Sequence, residues 1–223
     1  MAQIIPAILA TSEEQYQNDL AKLHSAEALQ GGWIHIDFAD TYFVQNEQSS
    51  FASQSKTIGP EIISKFPSKF RKEAHLMVDN PNEWIEELIK AGFERVIFHL
   101  ECKDNINETI EYIKSKGLEA GIALKNETEL EKVEQFIEKI DILLLMGVKP
   151  GLQGQPFIEK SINKLKEVKS KGLKVRVGID GGIKNDNIKE IVLAGADFVI
   201  VGSYLLKGDI DENLESLWEA IYG

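Results

Sequence analysis

Eight runs rich in Ile, Val and Leu, each followed by a charged stretch, leave this chain few folds to choose from. They read IIPAIL (4–9), WIHIDF (33–38), AHLMV (74–78), RVIFHLE (95–101), EAGIAL (119–124), ILLLMGV (142–148), KVRVGID (174–180) and FVIVGS (198–203). Strands apolar on both faces belong to a parallel sheet covered by helices. Eight β/α units in 223 residues predict an α/β fold, one closed (β/α)8 TIM barrel spanning residues 1–223 as a single domain. Functional residues of such a barrel lie at the carboxyl ends of its strands.

The intervening stretches carry helix punctuation. Thr11 and Ser12 precede EEQYQNDLAKLHSAEAL as an N-cap with acids in the first turn, and Gly31-Gly32 is expected to close that segment. Pro81 opens PNEWIEELIKAG at a first helical position, and Gly92 ends it. NINETIEYIKSKG and SINKLKEVKSKG finish on Lys-Gly, which puts positive charge at the negative end of the helix dipole and glycine at a left-handed exit. The segment 40–60 breaks this rhythm: it is long, polar and poor in helical periodicity, as functional loops after barrel strands often are.

Four side chains at the ends of three runs form a set able to hold one divalent metal: His35 and Asp37 in WIHIDF, His75 in EAHLMV, and Asp180 in VRVGID. Residues two apart on a strand share a face, so His35 and Asp37 point the same way. Two imidazoles and two carboxylates suit zinc, iron, manganese or cobalt without choosing among them. Gly181-Gly182 after the seventh run and Gly202-Ser203 at the eighth occupy the usual phosphate position of a barrel, where backbone N–H groups converge on an anion. His99 has no comparable support and is not assigned to the site.

The formal charge of -11 argues against unassisted binding to nucleic acid or to an anionic membrane, both of which reward clustered Lys and Arg. The start, MAQIIPAILATSEE, lacks a basic segment followed by a long apolar one, and no run reaches the length of a membrane span. A soluble cytoplasmic protein is expected. Cys102 is the only cysteine, so no intrachain disulfide can form, and a lone strand cysteine is a poor candidate nucleophile.

The segments HIDFADTYFVQN, HLMVDNP, LLLMGVKPGLQGQPF and VGIDGGI, in this order, resemble the signature stretches of the ribulose-phosphate 3-epimerase family. The resemblance runs from PAIL near the start to VGS near the end. It implies a metal-dependent barrel enzyme that inverts C3 of a ketopentose 5-phosphate, interconverting ribulose 5-phosphate and xylulose 5-phosphate. It puts the metal ligands at His35, Asp37, His75 and Asp180, with Asp37 and Asp180 doubling as acid and base. The stretch carrying Gly151 and Gly154 is similar to the family's mobile loop over the substrate, and a homo-oligomer is expected on the same ground.

Several positions expected to line the pocket depart from the family. Ala7 stands where the first strand usually carries a Ser. Ala39 replaces a Met, and Thr41 a Gly, while Met77 and Met146 remain. Lys125-Asn126 replaces Asn-Pro, Lys149 precedes Pro150 in place of Asn or Glu, and Leu152-Gln153 replaces Phe-Gly. These changes leave room for three alternatives: an epimerase of another phosphorylated ketose, a Schiff-base lyase using Lys125 or Lys149, or a catalytically silent sugar-phosphate-binding homologue.

Overall fold

The computed structural model describes residues 2–40, 43, 56–151 and 154–223. Most of the expected 40–60 loop, including Thr41, and the pair Leu152-Gln153 lie outside the described residues. Eight parallel strands close in sequence order into a barrel. They are β1 (Gln3–Ile8), β2 (Trp33–Ala39), β3 (Arg71–Met77), β4 (Phe93–His99), β5 (Glu119–Leu124), β6 (Ile142–Met146), β7 (Arg176–Asp180) and β8 (Phe198–Val201). Each expected run supplies one of them.

Alternation along the strands sends most of the apolar residues into two bodies. Ile5, Ala7, Trp33, Ile97, Ala123, Ile142, Leu144, Met146, Phe198 and Ile200 fill the barrel interior. The other set, including Ile34, Leu76, Val96, Phe98, Ile122 and Leu143, packs outward against the helices. Burying each such side chain contributes about 1.5–3 kcal/mol, so both layers are needed to offset chain ordering. At the lower end of the interior the indole ring of Trp33 lies between two guanidinium groups, those of Arg71 and Arg95, each 3.9 Å from its centroid.

Helix starts follow their sequence signals. Ser12 accepts the N–H of Gln15 at 3.1 Å and caps Glu13–Ser25; Asn105 accepts that of Glu108 at 3.2 Å and caps Ile106–Ser115. The Lys-Gly exits at Gly117 and Gly172 are both left-handed (φ 78° and 66°). Two boundaries differ from expectation. The first helix stops at Ser25, well short of Gly31, because the Asp211 carboxylate accepts the N–H groups of Glu27 and Ala28 at 2.9 and 2.8 Å and draws that backbone away from helical bonding. The stretch opened by Pro81 begins as a 3-10 turn, Pro81–Glu83, before the helix Ile85–Lys90. Among the described residues no helix is long and apolar enough to cross a membrane.

Strand register sets the level of each functional side chain. His35 pairs with Ala7 on one side and Glu73 on the other, Asp37 with His75, and Asp180 with Met146. Inward-facing polar residues from β2, β3 and β7 therefore meet beneath the barrel mouth.

Candidate metal centre and active-site pocket

His35, Asp37, His75 and Asp180 each offer one ligand atom to a cluster whose atoms all lie within 4.8 Å of one another. All four are buried: both histidines are fully enclosed, and the aspartates keep only a small exposure toward the mouth. His75 Nδ1 lies 2.8 Å from Asp37 Oδ1 and 3.6 Å from Asp180 Oδ2. His35 Nδ1 is 2.7 Å from Glu73 Oε1, and a carboxylate only accepts, so this nitrogen carries the donated proton. Its other nitrogen, Nε2, is buried with no hydrogen-bond partner although it lies 3.3 Å from Asp37 Oδ1. A buried imidazole nitrogen with no hydrogen-bond partner, facing the Asp37 carboxylate, fits a place for a divalent cation, with Glu73 orienting the ring from behind.

Glu73 is itself enclosed. Arg95 Nη1 stands 2.5 Å from Glu73 Oε2, and the same guanidinium reaches Glu119 at the strand start. A second chain of contacts backs His75. Its Nε2 is 3.0 Å from His99 Nε2, and His99 Nδ1 is 3.3 Å from Glu101 Oε2. Glu101 Oε1 also accepts the Lys125 backbone N–H at 3.1 Å and the Thr128 hydroxyl. Glu73, Arg95 and Glu101 surround the site although the sequence reading did not single them out, and His99, which that reading left unassigned, stands directly behind His75.

The two aspartates are pushed in opposite directions. Burial raises the Asp180 carboxyl to about 6, and the neighbouring Asp37 charge adds to that rise. Burial also opposes the charge on Asp37, but the hydrogen bond from His75 and the close approach of the His35 ring outweigh it and hold this carboxyl well below its ordinary range. Burial pushes the His99 ring down to about 4. Two like groups of unlike acidity in one enclosure are the arrangement that acid/base chemistry at a single carbon requires.

Above the cluster opens a pocket of about 60 Å³. Asp37 and Asp180 form its floor beside Ala7, Met77 and Met146. Gly181, Gly182, Gly202 and Ser203 make one wall, and Lys149, Gly151 and Gly154 another. His35 and His75 sit below the floor. Gly181 and Gly182 turn through φ of 96° and 70°, and a Cβ on Gly182 would stand 2.9 Å from the Phe157 backbone, so the close turn after β7 depends on glycine there. Ala39 and Lys125 are set back from this lining. Ala39 packs with Phe43 and Met77. The Lys125 ammonium lies 4.0 Å from the Phe43 ring centroid. Cys102 has its thiol pushed up to about 12 by burial, which makes it a weak nucleophile.

Comparison with known proteins bears on this arrangement. The model of the Ribulose-phosphate 3 epimerase family matches residues 3–206. A ribulose-phosphate 3-epimerase from Serratia marcescens is 34% identical over 207 residues, covering 90% of this chain and 93% of its own length. One from Aquifex aeolicus is 38% identical over 176 residues, covering 76% and 75%. Among solved structures, 3-hexulose-6-phosphate synthase from Salmonella typhimurium superposes with a TM-score of 0.67 at 18% identity, covering 99% of this chain and 98% of that one. Phosphoribosyl anthranilate isomerase from Thermus thermophilus gives 0.63 at 17%, covering 99% and 98%. These two share the fold.

Proposed function

This chain belongs to the ribulose-phosphate 3-epimerase family of isomerases, and from that premise we propose that it interconverts ribulose 5-phosphate and xylulose 5-phosphate with a divalent metal at His35, Asp37, His75 and Asp180. The observation that carries the reading is the meeting of Asp37 and Asp180 at one buried histidine, beneath a pocket walled by glycine turns.

The C3 hydrogen of a ketose is a weak acid because its removal leaves negative charge on the C2 oxygen. A divalent metal bound by this cluster supplies Lewis acidity toward that oxygen. Inversion then needs one carboxylate to take the proton from one face of C3 and one carboxylic acid to deliver a proton to the other. Asp37 and Asp180, on β2 and β7, are suited to these two roles because their acidities are driven apart. The backbone at Gly181, Gly182, Gly202 and Ser203 would receive the phosphate, with the carbon chain lying across Met77 and Met146. Gly151 and Gly154 lie in the stretch that would close over the bound sugar and exclude water.

The test is a coupled assay with ribulose 5-phosphate, before and after chelation and re-addition of zinc, iron, manganese or cobalt. Formation of xylulose 5-phosphate that chelation abolishes and a metal restores is expected. Metal-loaded protein that converts neither pentulose phosphate and exchanges no C3 hydrogen with solvent would overturn the proposal.

A further inference from the structure

We infer that Glu101 and His99 act as a proton-ordering relay behind His75, fixing which of its ring nitrogens faces the two aspartates; the inference rests on the metal reading above. The His75 and His99 rings meet through their Nε2 atoms, 3.0 Å apart. Two nitrogens at that distance form a hydrogen bond only if one is protonated and the other bare, so the pair must share a single proton. Which ring holds it is decided on the far side of His99.

There, His99 Nδ1 meets Glu101 Oε2 at 3.3 Å. The other Glu101 oxygen is already oriented by two donors, the Lys125 N–H and the Thr128 hydroxyl. A carboxylate has no proton to give, so His99 Nδ1 is the donor. A neutral ring protonated at Nδ1 is bare at Nε2, and His99 therefore accepts from His75 Nε2. His75, donating from Nε2, has Nδ1 facing Asp37 and Asp180, 2.8 and 3.6 Å away; a carboxylate only accepts, so without a metal Nδ1 donates to Asp37, and that proton is the one a metal would displace. With the Nε2 proton held by His99, loss of the Nδ1 proton gives the form a metal-binding histidine must take.

The same result is reached at His35 by a shorter route. Glu73 accepts the Nδ1–H directly and leaves Nε2 as the nitrogen that faces the cluster without a hydrogen-bond partner. Glu73 and Glu101 thus serve the two histidines in parallel, one in contact and one through an intervening imidazole. His99 is fully buried, with the His75 ring 5.1 Å and the Phe43 ring 4.8 Å from it by centroid, so its ring is held for this purpose. It touches His75 and no reacting atom, which makes it a positioning residue.

Three variants and two readouts test the relay. His99→Phe keeps a ring in the same space and removes the acceptor. His99→Gln returns an amide oxygen as acceptor. In Glu101→Gln the donors at Lys125 and Thr128 hold the amide oxygen, so the amide NH2 faces His99 Nδ1 and demands the opposite proton order. Zinc affinity, measured by competition with a chromophoric chelator, is expected to fall about 10- to 100-fold in His99→Phe and Glu101→Gln and to recover in His99→Gln. The chain has four histidines, so long-range proton–nitrogen NMR of the histidine-labelled, zinc-loaded protein can assign each ring. His99 protonated at Nδ1 and His75 at Nε2 is the expected pattern. Wild-type protein that binds zinc tightly, together with folded His99→Phe and Glu101→Gln that bind it equally well, overturns the relay alone. Wild-type protein that binds no divalent metal overturns the metal reading, and the relay with it.

Discussion

Asp37 and Asp180 reach the same nitrogen from strands that β1 and β8 separate: His75 Nδ1 lies 2.8 Å from one carboxylate and 3.6 Å from the other. Two carboxylates converging on one atom in a buried setting repel each other unless a cation or a proton lies between them. Only one of them therefore ionises freely when no metal is bound. The arrangement couples metal binding and acid/base readiness in one pair of residues.

Asp37→Asn and Asp180→Asn should each lower kcat with ribulose 5-phosphate by about 10²–10⁴-fold, the usual worth of a positioned acid or base, while leaving the circular dichroism spectrum unchanged. Because inversion needs a proton on each face of C3, neither remaining aspartate can complete the reaction. A folded variant that kept a tenth of wild-type turnover would remove that aspartate from the mechanism.

Metal removal should lower thermal stability as well as activity. A ligand that binds only the native state at 100 times its dissociation constant stabilises by about 2.7 kcal/mol, worth roughly 5–10 °C for a chain of this size. Differential scanning calorimetry of zinc-loaded and chelated protein should show that gap. It should shrink to a degree or two in His35→Ala, whose Nε2 faces the cluster without another partner.

The barrel was legible because its strands are continuous apolar runs cut off by turn residues, and the four candidate ligands because alternation along WIHIDF, EAHLMV and VRVGID aims them inward. Glu73 and His99 were not. In RKEAHLM the glutamate reads as the charged start of a strand, and its partner His35 lies 38 residues away, brought level with it only by register. His99 looks like the polar end of β4 until Ile97, two residues earlier, is seen to face the interior; that shared phase was the signal available. The end of the first helix was hidden for another reason. Local sequence favours continuation past Ser25, and a carboxylate from the far end of the chain overrides it.

Arg95→Met should be costly. Arg95 and Glu73 are both buried, and removing the guanidinium strands a carboxylate that also orients His35. Breaking a buried pair from one side typically costs 3–5 kcal/mol, and that loss is expected in urea unfolding. Adding Glu73→Gln should restore part of the stability, because the stranded charge is gone. Equal stability of the single and double variants would mean that the Arg95 effect is packing against Trp33 rather than charge.

Glu101 should make stability sensitive to acid. Burial alone would raise this carboxyl, but hydrogen bonds from His99, Thr128 and the Lys125 N–H outweigh it and hold the group at about 2, below its ordinary 4.5. Between those values the unfolded chain binds a proton that the native protein refuses. The contribution of Glu101 is therefore complete above about pH 4.5 and is lost as pH falls toward 2. Glu101→Gln has no carboxylate to protonate, so the stability gap between it and wild type, a few kcal/mol near pH 6, should narrow steadily as the pH is lowered from 5 to 3. Chemical denaturation of both proteins across that range reads the gap directly. A gap that stays constant would mean the Glu101 carboxyl titrates alike in the folded and unfolded chain, and that its contacts with His99 and Thr128 give the charged form no advantage.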